Sequence, residues 1–241
     1  MSPAAPRIAI HVHDTGGPRP LPPCPYEFPS PLKAPADGFV GYGRDFAPST
    51  VIAAYREGIF PWPHPEEEYL WFSPDPRAVI EFDGLHISAR LARTIRQGRF
   101  RVTMNAAFEA VLEGCAERGP DEGTWITPAY CDGYLALHRL GWAHSFEVWT
   151  VEGELAGGLY GVAIGGLFGA ESMFHRVTDA SKVALAALVQ RARDAGAGLI
   201  DVQVISDHTR RLGAVEIPRR EYLRRVAELR DRGVRWSGGE E

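Results

Sequence analysis

Cysteine is scarce in this sequence: 241 residues contain three, Cys24, Cys115 and Cys131, with no Cys-x-x-Cys pair. That excludes a disulfide framework and a cysteine-based zinc module, and free, reduced thiols are expected. No apolar run approaches the roughly 20 residues that cross a bilayer, and the N-terminus lacks the basic-then-apolar order of a signal peptide. The expectation is a cytoplasmic protein with no membrane partner. No His-Glu-x-x-His or comparable ligand spacing occurs, and His11 and His13 lie in a tail, so no metal is expected. Positive charge is in the minority, 26 Lys and Arg against 31 Asp and Glu. Coating of nucleic acid by bulk positive potential is thereby excluded, although a local basic patch is not.

What is present is an ordinary soluble composition, 45% apolar and 24% charged, in a chain long enough for one large domain or a domain with a small satellite. Of nineteen prolines, ten precede residue 36. They fix φ and remove amide donors, so residues 1–37 are expected to be a poorly ordered extension, with regular structure starting near Gly38. Ser49 to Glu57 reads as a helix closed by Gly58. Ile59 to Pro63 and Trp71 to Pro76 are too proline-rich for a helix or a central strand.

From Arg77 helices and strands alternate. Ala78 to Phe82 suits a strand, Ser88 caps a helix ending near Gly98, and Phe100, Val102 and Met104 mark a buried strand face. Asn105 is placed to cap the next helix, on which Phe108, Val111, Leu112 and Cys115 recur at helical spacing. Thr127-Pro128 opens another, closed by Gly141. Three strands in meander follow, Ala143 to Thr150, Leu155 to Ala163 and Leu167 to Phe174, turned at Glu152-Gly153 and Gly165-Gly166. Asp179 to Ala195 reads as a helix, Leu199 to Ile205 as a strand, and Pro218 opens a last helix. This order predicts an α+β fold around a mostly antiparallel sheet.

Several residues could carry chemistry. Glu171 has apolar neighbours on both sides, and burying it unpaired would cost several kcal/mol, so it is either a structural ion-pair partner or functional. Strand alternation sets Asp201 and Gln203 on one face, about 7 Å apart at ~3.3 Å per residue, where they either hold one small substrate group or meet water. Arg90, Arg93, Arg96, Arg99 and Arg101 fall within twelve residues with no acid among them. They suit phosphate binding or a solvated surface. Trp62, Trp71 and Trp125 lie in loops or near element ends, where aromatics either stack on nucleobases or close a core.

Taken together, the segments resemble the leucyl/phenylalanyl-tRNA–protein transferase family. The matching stretches are Ala54 to Trp62, Trp71 to Arg77, Gly123 to Ile126, His144 to Trp149, Gly157 to Val162, Glu171 to Phe174, Ala180 to Lys182, Leu212 to Ala214 and Ile217 to Arg219. The resemblance implies a small N-terminal domain over 38–76 and a GNAT-like acyltransferase domain over 77–241. It implies a monomer without cofactor that moves leucine or phenylalanine from aminoacyl-tRNA onto proteins beginning with arginine or lysine, marking them for N-degron degradation. By resemblance, Asp201, Gln203 and Glu171 form the catalytic centre, and Leu159, Phe168, Met173 and Ile200 the pocket for the transferred side chain. Trp62, Trp125 and Tyr134 then surround the terminal adenosine, and Arg93 and Arg96 contact the tRNA stem. Alternation points Ile200 away from Asp201, so its place in that pocket calls for a twist or bulge.

An aminoacyl ester is already activated, so orientation of the attacking amine is the expected contribution, with Asp201 either orienting Gln203 or accepting a proton. A rival acetyltransferase reading needs a glycine-rich pyrophosphate cradle, and His175 to Ser181 contains no glycine. A non-catalytic tRNA-binding module leaves Glu171, Asp201 and Gln203 without a task, and an aminoacyl-tRNA-dependent transferase with a different peptide acceptor is the remaining alternative.

Overall fold

The computed structural model describes residues 6–43, 45–63, 69–117 and 126–238. In chain order, β1 (Ile10–Val12) and β2 (Phe39–Gly43) precede α1 (Pro48–Arg56), which Pro48 opens and Gly58, at φ 74°, closes. β3 (Phe60–Pro63), β4 (Tyr69–Phe72) and β5 (Arg77–Ile80) follow. The Ser88 hydroxyl accepts the Leu91 amide and so starts α2 (Ala89–Arg96), after which come β6 (Arg101–Met104), α3 (Phe108–Ala116) and α4 (Pro128–Arg139). The meander is β7 (Ala143–Trp149), β8 (Leu155–Ile164) and β9 (Leu167–His175). Its turns rest on Gly153 and Gly165, at φ 89° and 53°, where a Cβ would be strained. α5 (Ala180–Asp194), β10 (Leu199–Gln203), α6 (Asp207–Arg211), β11 (Val215–Ile217) and α7 (Arg219–Leu229) complete the order.

The main sheet has eight strands in the order β1-β6-β7-β8-β9-β10-β5-β11. All pairs are antiparallel except β1/β6 and β9/β10. Alternation along the meander sorts its side chains: Leu159, Phe168 and Ile200 pack with Val183, Ala184 and Leu188 of α5, whereas Tyr160, Val162 and Ile164 pack with residues of α1, α3 and α4. α7 buries Tyr222, Val226 and Leu229 against Val79, Leu167 and Leu199. β2, β4 and β3 form a second, antiparallel sheet. Among the described residues no helix is long and apolar enough to cross a membrane.

Four details differ from the sequence reading. Regular structure begins at β1, well before Gly38, because Ile10–Val12 finds an unpaired sheet edge on β6. Trp71 and Phe72 lie in the central strand β4, their prolines falling beyond its end; the prolines of β3 are tolerated because that strand is an edge. Asn105 does not cap α3. It sits at φ 63°, donates to the His13 carbonyl and accepts the Ser145 amide, while the buried Glu147 carboxylate takes the Ala106 and Ala107 amides at 3.3 Å each. Finally, β10 stops at Gln203 instead of Ile205, for a reason that belongs to the site.

Candidate active site

Two strand irregularities build the site. β8 and β9 pair Tyr160 with Ser172 and Gly161 with Ala170, which leaves Glu171 as the extra residue of a bulge. β5 and β10 pair Val79 with Asp201 and Ala78 with Gln203, which leaves Val202 as the extra residue of a second. Bulges bend a strand and re-aim the side chains beside it, and Gln203, at φ 58°, leaves the extended conformation altogether. Because β9 and β10 are hydrogen-bonded neighbours, the two distorted segments meet, and Gln203 Nε2 donates to Glu171 Oε1 at 3.0 Å.

Glu171 is half-buried among hydroxyls. Tyr134 on α4 donates to its Oε2 at 2.8 Å. Tyr55 on α1 faces the same carboxylate, but its hydroxyl falls short of hydrogen-bonding geometry. Gly169 makes this crowding possible, since a Cβ there would meet the Tyr55 ring at 2.9 Å and Glu171 Oε1 at 3.3 Å. Burial pushes Glu171 up to about 7; the Tyr55 and Tyr134 hydroxyls and Arg77 oppose the rise, and Asp201 adds to it.

Asp201 is wholly buried and fully engaged. It accepts from Arg77 Nε at 2.8 Å and Nη2 at 2.6 Å, from the Tyr222 hydroxyl at 2.8 Å and from the Gln203 amide at 2.9 Å. A carboxylate offers about four lone-pair directions, so no site remains for a substrate proton. Arg77 lies between two rings, its guanidinium carbon 4.5 Å from the Phe60 centroid and 4.4 Å from that of Tyr222. Burial, the largest single influence, works against its charge, but Asp201 together with Tyr222 and Tyr55 outweighs it and holds the guanidinium above its ordinary value. A buried pair offsets its desolvation only with bidentate geometry and further hydrogen bonds, and both are present here.

An ionised Glu171 can only accept, so Gln203 turns its N–H toward it. The Gln203 carbonyl oxygen has no donor among the described residues. The trio therefore combines a free amide acceptor, a carboxylate that reaches the surface and a buried ion pair fixing the first.

The remaining candidates are placed as follows. Leu159 stands opposite Met173, and Ile200 opposite Phe168, all four packed toward α5, with Met173 alone partly exposed. Ile200 does point away from Asp201, and the bulge falls one residue after it, at Val202. Trp62 is 47% exposed on the edge strand β3. Tyr134 is wholly buried, its ring edge-on to Phe46 and Tyr160 and its hydroxyl committed to Glu171, so it presents no face for stacking. Trp125 lies outside the described residues. Arg93 and Arg96 are exposed on α2 but line two different concavities. Sequence reasoning passed over Arg77, Tyr222 and Tyr55. Arg77 carried a signal, a lone charge opening the apolar run Ala78-Val79-Ile80; Tyr222 and Tyr55 read as ordinary helical core positions.

In this site the buried Asp201 carboxylate is spent on Arg77, Tyr222 and the Gln203 backbone amide, an arrangement suited to holding groups in place. The model of the leucyl/phenylalanyl-tRNA protein transferase family matches residues 79–227, and that of the family's N-terminal domain matches residues 44–75. A leucyl/phenylalanyl-tRNA–protein transferase from Anaeromyxobacter sp. (strain Fw109-5) is 52% identical over 85% of this chain and 88% of its own length. One from Shigella dysenteriae serotype 1 is 50% identical over 84% and 87%. The chain belongs to the leucyl/phenylalanyl-tRNA–protein transferase family. A solved GCN5-related N-acetyltransferase from Kribbella flavida overlaps 68% of this chain and 58% of its own at 15% identity and a TM-score of 0.36, too low a likeness to carry a conclusion.

Proposed function

We propose that this chain moves leucine, or less readily phenylalanine, from aminoacyl-tRNA to the α-amino group of proteins beginning with arginine or lysine, marking them for N-degron degradation. In this reading the enzyme is a cytoplasmic monomer, with a GNAT-like catalytic domain from residue 77 and a small N-terminal domain over 38–76. The observation that carries it is Gln203, its backbone amide held by Asp201 of the buried Arg77–Asp201 pair and its side-chain N–H by Glu171, with no donor to its side-chain carbonyl oxygen among the described residues.

The α-amino nitrogen attacks the ester carbonyl carbon, the bond to the terminal ribose oxygen breaks, and the ribose hydroxyl leaves with a proton. At pH 7 an α-amino group of pKa near 7.7–8.0 is roughly 10–20% neutral, so little is asked of a base, whereas orientation can contribute up to about 7–11 kcal/mol. Gln203 accepts an N–H of the attacking amine and aims its lone pair. Asp201 orients Gln203 through the backbone amide, and its saturated hydrogen bonding argues against a role as proton acceptor. Glu171 attracts the cationic first residue of the acceptor. Leu159, Phe168, Met173 and Ile200 select the transferred side chain, Trp62 and Trp125 stack on the terminal adenosine, and Tyr134 fixes Glu171 instead of stacking.

The test is transfer from radiolabelled leucyl-tRNA to peptides beginning with Arg, Lys, Ala or Asp. Label in the Arg and Lys peptides alone is expected; label in the others, or binding without turnover, would overturn the proposal.

A further inference from the structure

β1 and the residues just before it place Arg7 and His11 beside the arginine helix. Ile8 exchanges both backbone hydrogen bonds with the Gln190 side chain, each at 2.8 Å, and the His13 amide donates to the Met104 carbonyl at 2.9 Å. Beside these anchors Arg7 and His11 share a concavity of about 350 Å³ with Arg96 and Arg101. No acidic residue lines it. Arg7 pairs with Asp194 at 2.7 Å, but with 76% of the arginine side chain exposed this is a bridge that a phosphate can open.

A second concavity, of about 550 Å³, carries Arg93, Arg99 and Arg90, the last paired with Asp179 at 3.3 Å, has Glu152 on its rim, and meets the first at Thr94 and Phe100. Arg93, Arg96 and Arg99 have no side-chain partner among the described residues. So dense a cluster on a chain of net charge −5 is a local feature and not a by-product of composition. Guanidinium forks match phosphate oxygens, and two adjoining troughs suit successive phosphates of a nucleic-acid backbone better than one small anion.

We infer that the N-terminal strand is part of the tRNA-binding surface, with Arg7, His11 and Arg101 taking stem phosphates adjacent to those held by Arg93. The inference rests on the proposed function and on α2 as a stem contact. Residues 7–11 thereby gain a role that the proline-rich composition around them conceals: the extension supplies one wall of the binding trough.

The test uses the full chain and leucyl-tRNA, with binding measured across a salt series. Each phosphate contact contributes about 0.7–0.9 to the slope of log K against log salt, so Arg7→Ala with Arg101→Ala should flatten it by roughly 1.4–1.8 and weaken binding roughly tenfold or more near 0.1 M salt. Arg7→Lys with Arg101→Lys should keep the slope, because a point charge still neutralises a phosphate. Unchanged binding in the alanine pair, while Arg93→Ala flattens the slope, would overturn this inference and leave the tRNA reading of α2 intact. An Arg93→Ala protein that also keeps the wild-type slope would overturn both. If the lysine pair weakens binding as much as the alanine pair, the arginines serve the fold, and the inference fails.

Discussion

Gln203 donates to Glu171 at 3.0 Å across two neighbouring strands that are each bulged at that point. Replacing Glu171 by glutamine keeps an acceptor for Gln203 and removes only the charge. If that charge serves to attract a cationic acceptor residue, Glu171→Gln raises the peptide KM several-fold, lowers kcat less and leaves leucyl-tRNA affinity unchanged. Steady-state kinetics on both substrates reads the split; an unaltered peptide KM would remove Glu171 from acceptor binding.

The same residue makes stability depend on pH. Its folded value is about 7 against an ordinary 4.5, so the folded state keeps the proton longer. The stability linked to this group is full below the unfolded value and is lost as pH rises through the folded one. At 1.36 kcal/mol per unit, wild type should lose up to about 3 kcal/mol relative to Glu171→Gln between those limits. Denaturant unfolding of both proteins at pH 5 and pH 8 measures it, and a constant difference would mean that Glu171 is ionised throughout.

Breaking the buried Arg77–Asp201 pair should cost far more than breaking a surface one. Arg77→Met or Asp201→Asn each strands an unpaired buried group, with an expected loss of about 3–5 kcal/mol in stability. Arg77→Met combined with Asp201→Leu should recover most of that loss and none of the transfer activity, because Gln203 is no longer fixed. A double variant that regains activity would show that Gln203 is positioned by something else.

Met173 is the member of the apolar quartet that reaches the surface, so it is the one a substrate side chain could touch without repacking. An apolar pocket discriminates one methylene by only about 1–3 kcal/mol, so Met173→Ala should move the phenylalanine-to-leucine ratio toward phenylalanine without making leucine inert. Competition between the two charged tRNAs measures the ratio. No change would place the selective surface away from β9.

Trp62 is 47% exposed and touches the core only at its edge, through Phe60 and Phe72, so Trp62→Ala should lower the melting temperature only modestly. Loss of one stacking partner should weaken the donor by about 1–3 kcal/mol, and equally for leucyl-tRNA and a minimal leucyl-adenosine, because both carry the adenine. A loss confined to the full tRNA would move Trp62 from the adenosine to the stem.

The family, most helices and strands from Arg77 onward, the meander, and the unusual surroundings of Glu171, Asp201 and Gln203 were legible in the sequence, whereas β1, β4, α6 and β11 were not. Proline and glycine punctuate the helices, alternation marks β7 to β9, and Glu171, Asp201 and Gln203 are conspicuous among apolar neighbours. Tertiary structure alone decided how those three residues meet. Plain alternation aligns Asp201 with Gln203 on one face; the bulge at Val202 instead turns Gln203 to Glu171 and leaves Asp201 to Arg77, 124 residues earlier in the chain. A bulge depends on the register with a partner strand, which a single segment does not encode. The same holds for Tyr134, whose ring could have stacked on a base until packing against Phe46 and Tyr160 enclosed it, and for β1, which exists because β6 offers an unpaired edge. Local chemistry determined which residues were unusual, and long-range pairing determined what each of them faces.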